Sequence, residues 1–238
     1  MLTMPQTQLD VVHSEQTPLA QVMCQVSFPT ILQISSQLPV GFQRHIYAQF
    51  PLVSLTANQK AYNFFTKDRL SHLTLAPQSL RLITSRYDGW ESVREQFRVP
   101  VNALCQEYDF PFFVRVGLRF SHVIRRACLG LEGHEWNELL KSRVVSVGGW
   151  DEVSQDMQGS RTEVVQALDD PSQGLRVIHG VVNVDGEADE QAYLLDHDFF
   201  SQKEMSMSEA FANLDTFHVH VSDLLQGWTS KILQPVKL

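Results

Sequence analysis

The sequence predicts an α+β chain in which antiparallel, curved sheet packs on long helices. Short apolar/polar alternations such as "LAQVMCQVSF" and "SLRLITSRY" recur at hairpin spacing. Two stretches, beginning near Trp90 and Phe217, instead step by three or four residues between apolar positions, as helices do. The order β-α-β-β-β-α can be written twice along the chain. A sheet with one apolar face needs a cover, and a long helix closing each repeat of the order supplies it.

The elements follow in order. Residues 1–17 are polar and read as a loose leading segment. In the first half, 18–110, Val22, Cys24, Val26 and Phe28 alternate with Gln21, Met23, Gln25 and Ser27, a half-buried strand. Phe42, Ile46 and Phe50 recur at helical spacing behind Pro39, and Pro51 closes that stretch. Strands are expected at "AYNFFTK", "LSHLTL" and "SLRLITSRY". A helix then runs from Trp90 to Tyr108, with Asp88 and Glu91 at capping-box spacing and Pro100 expected to kink or divide it.

The second half, 111–238, opens on "FFVRVGLRFSHVIRR", a strand, and continues with a short helix near "HEWNELLKS". Strands are expected at "RVVSVGG", "RTEVVQAL", "GLRVIHGVVNV" and "QAYLLDHDFF". Phe217, Val221, Leu224, Trp228 and Ile232 make the apolar stripe of a final amphipathic helix, with Trp228 a structural anchor. The TATA-binding-protein-like and helix-grip folds share this element order, a likeness of shape that implies no function.

Composition narrows the function classes. Of 238 residues 43% are hydrophobic, with 14 Phe, enough for a folded core. No apolar run reaches the roughly 20 residues of a membrane span. The net charge of −8 opposes phosphate backbones, so duplex nucleic acid is not an expected partner. Cys24, Cys105 and Cys128 are scattered in apolar surroundings and read as buried thiols of a reducing compartment; with no secretory pattern at the start, a cytoplasmic location is expected.

Several phrases in order, "PLAQVMCQVSF", "FQRHIYAQFP", "LTLAPQSLRLITSRYDGWESV", "VRVGLRF" and "YLLDHDFF", resemble a sporadically distributed bacterial protein family of about this length. Its hallmarks are an Arg-x-Gly-Leu-Arg-aromatic strand, matched by Arg115, Gly117, Leu118, Arg119 and Phe120, and a Tyr-x-x-Trp helix start, matched by Tyr87 and Trp90. The likeness covers most of residues 18–200. It departs at Ser121-His122, where family members more often carry an aliphatic-Asn pair. The family's patchy distribution resembles that of accessory loci such as antiphage defence, which implies a setting and no chemistry.

No Walker, Rossmann or Gly-x-Ser-x-Gly pattern is present, so no catalytic residue and no cofactor is assigned and an enzyme is not the expected class. His218 and His220 lie two apart on a helix, point away from each other and read as surface residues. Asp196 and Asp198 share a strand face opposite His197 and are weak metal candidates. The stronger candidate is basic. Arg115, Gly117, Arg119 and Ser121 share one strand face, Val116, Leu118 and Phe120 the other, and Arg125 and Arg126 follow. Three roles stand open for these arginines: an ion-pair layer, a contact with a protein partner encoded nearby or a second copy, and a site for RNA or a nucleotide, with or without nuclease activity. Arg115, taken as nearer the strand centre, is expected to be structural, and Arg119 to face a partner.

Overall fold

The computed structural model describes residues 18–55, 61–141, 159–183 and 191–233. The leading segment 1–17 and the strand expected at "RVVSVGG" lie outside the described residues. The elements run β1 (Leu19–Ser27), α1 (Leu32–Ser36), α2 (Val40–Ile46), β2 (Leu52–Leu55), β3 (Tyr62–Phe65), β4 (Ser71–Ala76), β5 (Ser79–Thr84) and α3 (Trp90–Glu107). They continue with β6 (Arg115–Arg125), α4 (Arg126–Leu129), α5 (Trp136–Leu139), β7 (Thr162–Ala167), β8 (Gln173–Asn183), β9 (Gln191–Ser201) and α6 (Met207–Trp228).

The described strands form one sheet in the order β2-β3-β4-β5-β1-β6-β9-β8-β7, with antiparallel pairing throughout. The fold is α+β, as the sequence predicts. β1 and β6 sit side by side at the middle, so the sheet is continuous across the centre of the chain.

Alternation sorts the strands' side chains into two faces. Val22, Cys24, Val26, Leu82, Val116, Leu118, Phe120 and Phe199 point to one face and are buried. The helices cover this face: Phe42 of α2 meets Phe64, Phe217 of α6 stacks on Phe199, and Phe97 of α3 meets Phe211 of α6. Burying two such apolar surfaces against each other is the main favourable term holding sheet to helices. Among the described residues no helix lies on the other, polar face.

Several expectations are corrected here. α1 and β2 were not expected; both are short and carry little periodic signal. α3 is not divided at Pro100, because Phe97, Val101 and Leu104 bury the face on which the proline itself lies, and packing outweighs the missing hydrogen bond. Asp88 does not cap that helix; the cap position is Gly89 at φ 113°, and Asp88 faces Arg86 at 3.4 Å. The last helix begins earlier than its stripe, at Met207, under a Ser206/Glu209 capping box. It ends at Trp228, so Ile232 is outside it and 39% exposed. Cys24 is buried as expected, whereas Cys105 and Cys128 are exposed.

Candidate functional site

The strand register builds a charged cluster on the polar face. Arg119 of β6 lies opposite Asp198 of β9, Ser121 opposite Asp196, and Gly117 opposite Phe200. Asp198 in turn faces Arg176 of β8, and Phe200 faces Gly174. On the other flank Gly117 faces Gln25 of β1, which faces Arg81 of β5. Directly opposed residues share a face, so these groups converge on one patch.

Within it Arg119 grips Asp196 with both ends of its guanidinium: Nε donates to Oδ1 at 2.6 Å and Nη2 to Oδ2. Ser121 Oγ adds a donor to Asp196 Oδ1 at 3.3 Å. Side-chain exposure is 17% for Arg119 and 3% for Asp196, so this pair is mostly shielded from solvent. Burial disfavours the Arg119 charge, but the hydrogen bonds and charge of Asp196 outweigh it and raise the Arg119 pKa.

Arg115 is held more loosely. Its Nη2 reaches Asp198 Oδ2 at 3.4 Å, and its guanidinium lies 5.3 Å from the centre of the Phe200 ring. The space for this comes from glycine. A Cβ at Gly117 would stand 2.8 Å from Arg115 Nη1, and one at Gly174 would stand 2.5 Å from Phe200 Cζ. Gly117 is therefore the floor over which Arg115 folds, and Gly174 the floor under Phe200. Asp198 Oδ1 is buried without a hydrogen-bond partner among the described residues, and burial pushes its carboxyl above the usual range while Arg115 and Arg119 pull it back.

The placement of the two arginines differs from the one expected. Arg115 is the first residue of β6, not near its centre, and Arg119 is the one locked in a shielded bidentate pair. Asp196 and Asp198 are engaged by these arginines. Arg125 and Arg126 are not part of the cluster: Arg125 ends β6, roughly 20 Å along it from Arg119 at about 3.3 Å per residue, and Arg126 opens α4. Arg126 donates to the His134 carbonyl at 2.8 Å and lies 4.6 Å from the Trp136 ring centre.

Tyr87 and Trp90 serve the covered face. Tyr87 Oη sits 3.1 Å from His218 Nε2, and the Trp90 ring stacks on His218 at 5.0 Å while its Nε1 donates to Asp215 at 2.9 Å. His218 of α6 is thus held by Tyr87 and Trp90 at the start of α3, not a free surface residue, while His220 is exposed against Phe199. Trp228 stands edge-on to His197 at 5.2 Å and His179 at 5.6 Å.

Sequence reasoning passed over Arg81, Gln25, Phe200 and Gly174. Arg81 carried the same signal as Arg119, a guanidinium alternating with Leu80 and Leu82 inside an apolar strand. It is half-buried, and its Nε donates to Gln25 Oε1 at 3.3 Å. Burial, then repulsion from Arg115 and Arg119, lowers its pKa, with Asp198 opposing.

No protein-family model matches the chain, and no curated protein matches it in sequence.

Proposed function

We propose that this chain is a non-enzymatic binding and assembly protein whose recognition surface is the polar face of its sheet. The observation that carries the reading is the shielded Arg119–Asp196 pair, set with Arg115, Asp198 and Phe200 on a face that no described helix covers. A layer of this kind fixes side chains before a partner arrives, and so lowers the ordering cost of association. The strand order, running outward from β1 and β6 in parallel fashion, supports two related α+β units joined at the centre with a TATA-binding-protein-like shape. The resemblance described above supports a bacterial accessory locus, with antiphage defence as the setting, and a partner encoded by a neighbouring gene.

The test is a sizing column run with and without the neighbouring gene product, with bound nucleotide followed by absorbance ratio. A shared peak free of nucleotide is expected. Separate elution, together with retention on heparin and a steep salt slope for oligonucleotides, would replace this reading with nucleic-acid binding. Such binding draws on about 6–10 phosphate contacts, which a chain of charge −8 opposes.

A further inference from the structure

On the polar face the charges do not balance. Arg119 is matched by Asp196, Arg115 by Asp198, and Arg176 by Glu163 at 2.8 Å. Arg81 has no acidic partner among the described residues; Gln25 takes its Nε and leaves the Nη1/Nη2 fork for something else. The neighbours across the sheet, Thr74 on β4 and Gln25 on β1, are uncharged. A half-buried guanidinium facing two like charges is relieved by an anion, and a planar fork suits a carboxylate or a phosphate equally.

We propose that Arg81 is the anchor for a carboxylate on an acidic segment of a protein partner, seated along the row of Arg81, Gln25, the Arg115 guanidinium that lies over Gly117, and Phe200. The row spans three strand spacings, about 14 Å, a length that an extended segment of roughly four residues crosses. Charge decides between protein and nucleic acid. The Arg81 fork that Gln25 leaves open takes a single carboxylate, while a net charge of −8 opposes a run of phosphates. Phe200 offers an apolar contact at the end of the row that a peptide side chain can use. This inference rests on the binding reading above and deepens it by naming the contact and its chemistry.

The experiment follows the Arg81 Nε–H resonance of the full chain by nitrogen-15 NMR. Hexaglutamate, inorganic phosphate and a short single-stranded RNA are titrated separately at constant ionic strength. A saturable shift with hexaglutamate is expected, with affinity about tenfold or more weaker in Arg81→Gln when both proteins are read from the neighbouring Gln25 side-chain amide, the fold-change that loss of one charge-assisted hydrogen bond produces. An Arg81 signal that RNA moves and hexaglutamate does not assigns the site to nucleic acid and overturns the proposal. So does a signal that none of the three moves. Arg81→Glu, run on the sizing column with the neighbouring gene product, separates the two claims. A complex that survives the reversal sinks the Arg81 anchor and leaves the binding reading standing. Hexaglutamate binding with no complex leaves the anchor and sinks the assembly reading. A dimer of the chain alone that the reversal dissolves gives the site to a second copy and overturns the partner assignment.

Discussion

On β6 and β9 the covered face holds His122 and His197, while the polar face of the same strands holds Arg119, Asp196 and Asp198. The histidines are buried, their ring centres lie 6.3 Å apart, and none of their ring nitrogens has a hydrogen-bond partner of good geometry among the described residues. Burial pushes His122 down to about 4, against a smaller opposing pull from the Leu195 backbone. Burial pushes His197 down to about 3, with repulsion from His122 and His179 adding to it. Burial keeps His122 and His197 neutral, since no carboxylate among the described residues stands against them. On the polar face Asp196 holds the charge of Arg119 in place, while burial raises the Asp198 carboxyl against the pull of Arg115 and Arg119. Adjacent residues on one strand thus live under different electrostatic rules, and the difference is set by what lies across the sheet.

The largest expected effect breaks the polar side of this contrast. Arg119→Ala leaves Asp196 shielded and without its guanidinium, and should cost about 3 to 5 kcal/mol in a urea unfolding curve. Arg119→Lys should not restore the loss, since an ammonium cannot reproduce the two-point contact. An unchanged midpoint in Arg119→Ala would remove the pair from the account of stability.

Trp228→Ala acts on the covered side by exposing His179 and His197. Its ring is only partly buried, so the cost should fall at the low end of aromatic truncations, about 3 kcal/mol. A thermal midpoint within a degree of wild type would contradict the packing of this ring.

Acid titration tests the neutral histidines directly. The unfolded chain takes up protons near pH 6.5 that His122 and His197 refuse in the fold. Stability should be full above about pH 6.5 and fall below it, by roughly 2 to 3 kcal/mol between pH 6.5 and 5.5, continuing toward the depressed folded values. His197→Phe should flatten part of that slope. A slope identical in wild type and variant would show that the loss arises elsewhere.

Smaller changes sharpen the picture of the patch. Gly174→Val crowds Phe200, whose ring can swing outward, so a cost of about 1 to 2 kcal/mol is expected with Phe200 displaced in the proton spectrum. Arg115→Ala should cost least, about 1 kcal/mol or below, because its contact with Asp198 is long and both side chains keep some solvent. Its effect should appear in association instead, on the same sizing column. If Arg115→Ala proves as costly as Arg119→Ala, the distinction between a locked pair and a loose one fails.

The residues legible in the sequence were those whose environment depends on local periodicity. Alternation placed Arg115, Gly117 and Arg119 opposite Val116, Leu118 and Phe120, and Asp196 and Asp198 opposite His197, and the structure has them so. The α3 and α6 stripes were visible for the same reason, as side chains repeat with the turn of the backbone. The Ser206/Glu209 capping box was equally local and was passed over. What a local reading cannot contain is which strand lies beside which. β6 and β9 are separated by some seventy residues, and the pairing that sets Asp196 against Arg119 comes from burial of their shared apolar face. The sequence by itself determined the α+β class and the face on which each side chain stands. Only the tertiary structure decided that Arg119 is locked, that Arg115 lies over Gly117, and that Arg81 is left with a surplus charge, because charges separated along the chain acquire partners only when the sheet closes around them.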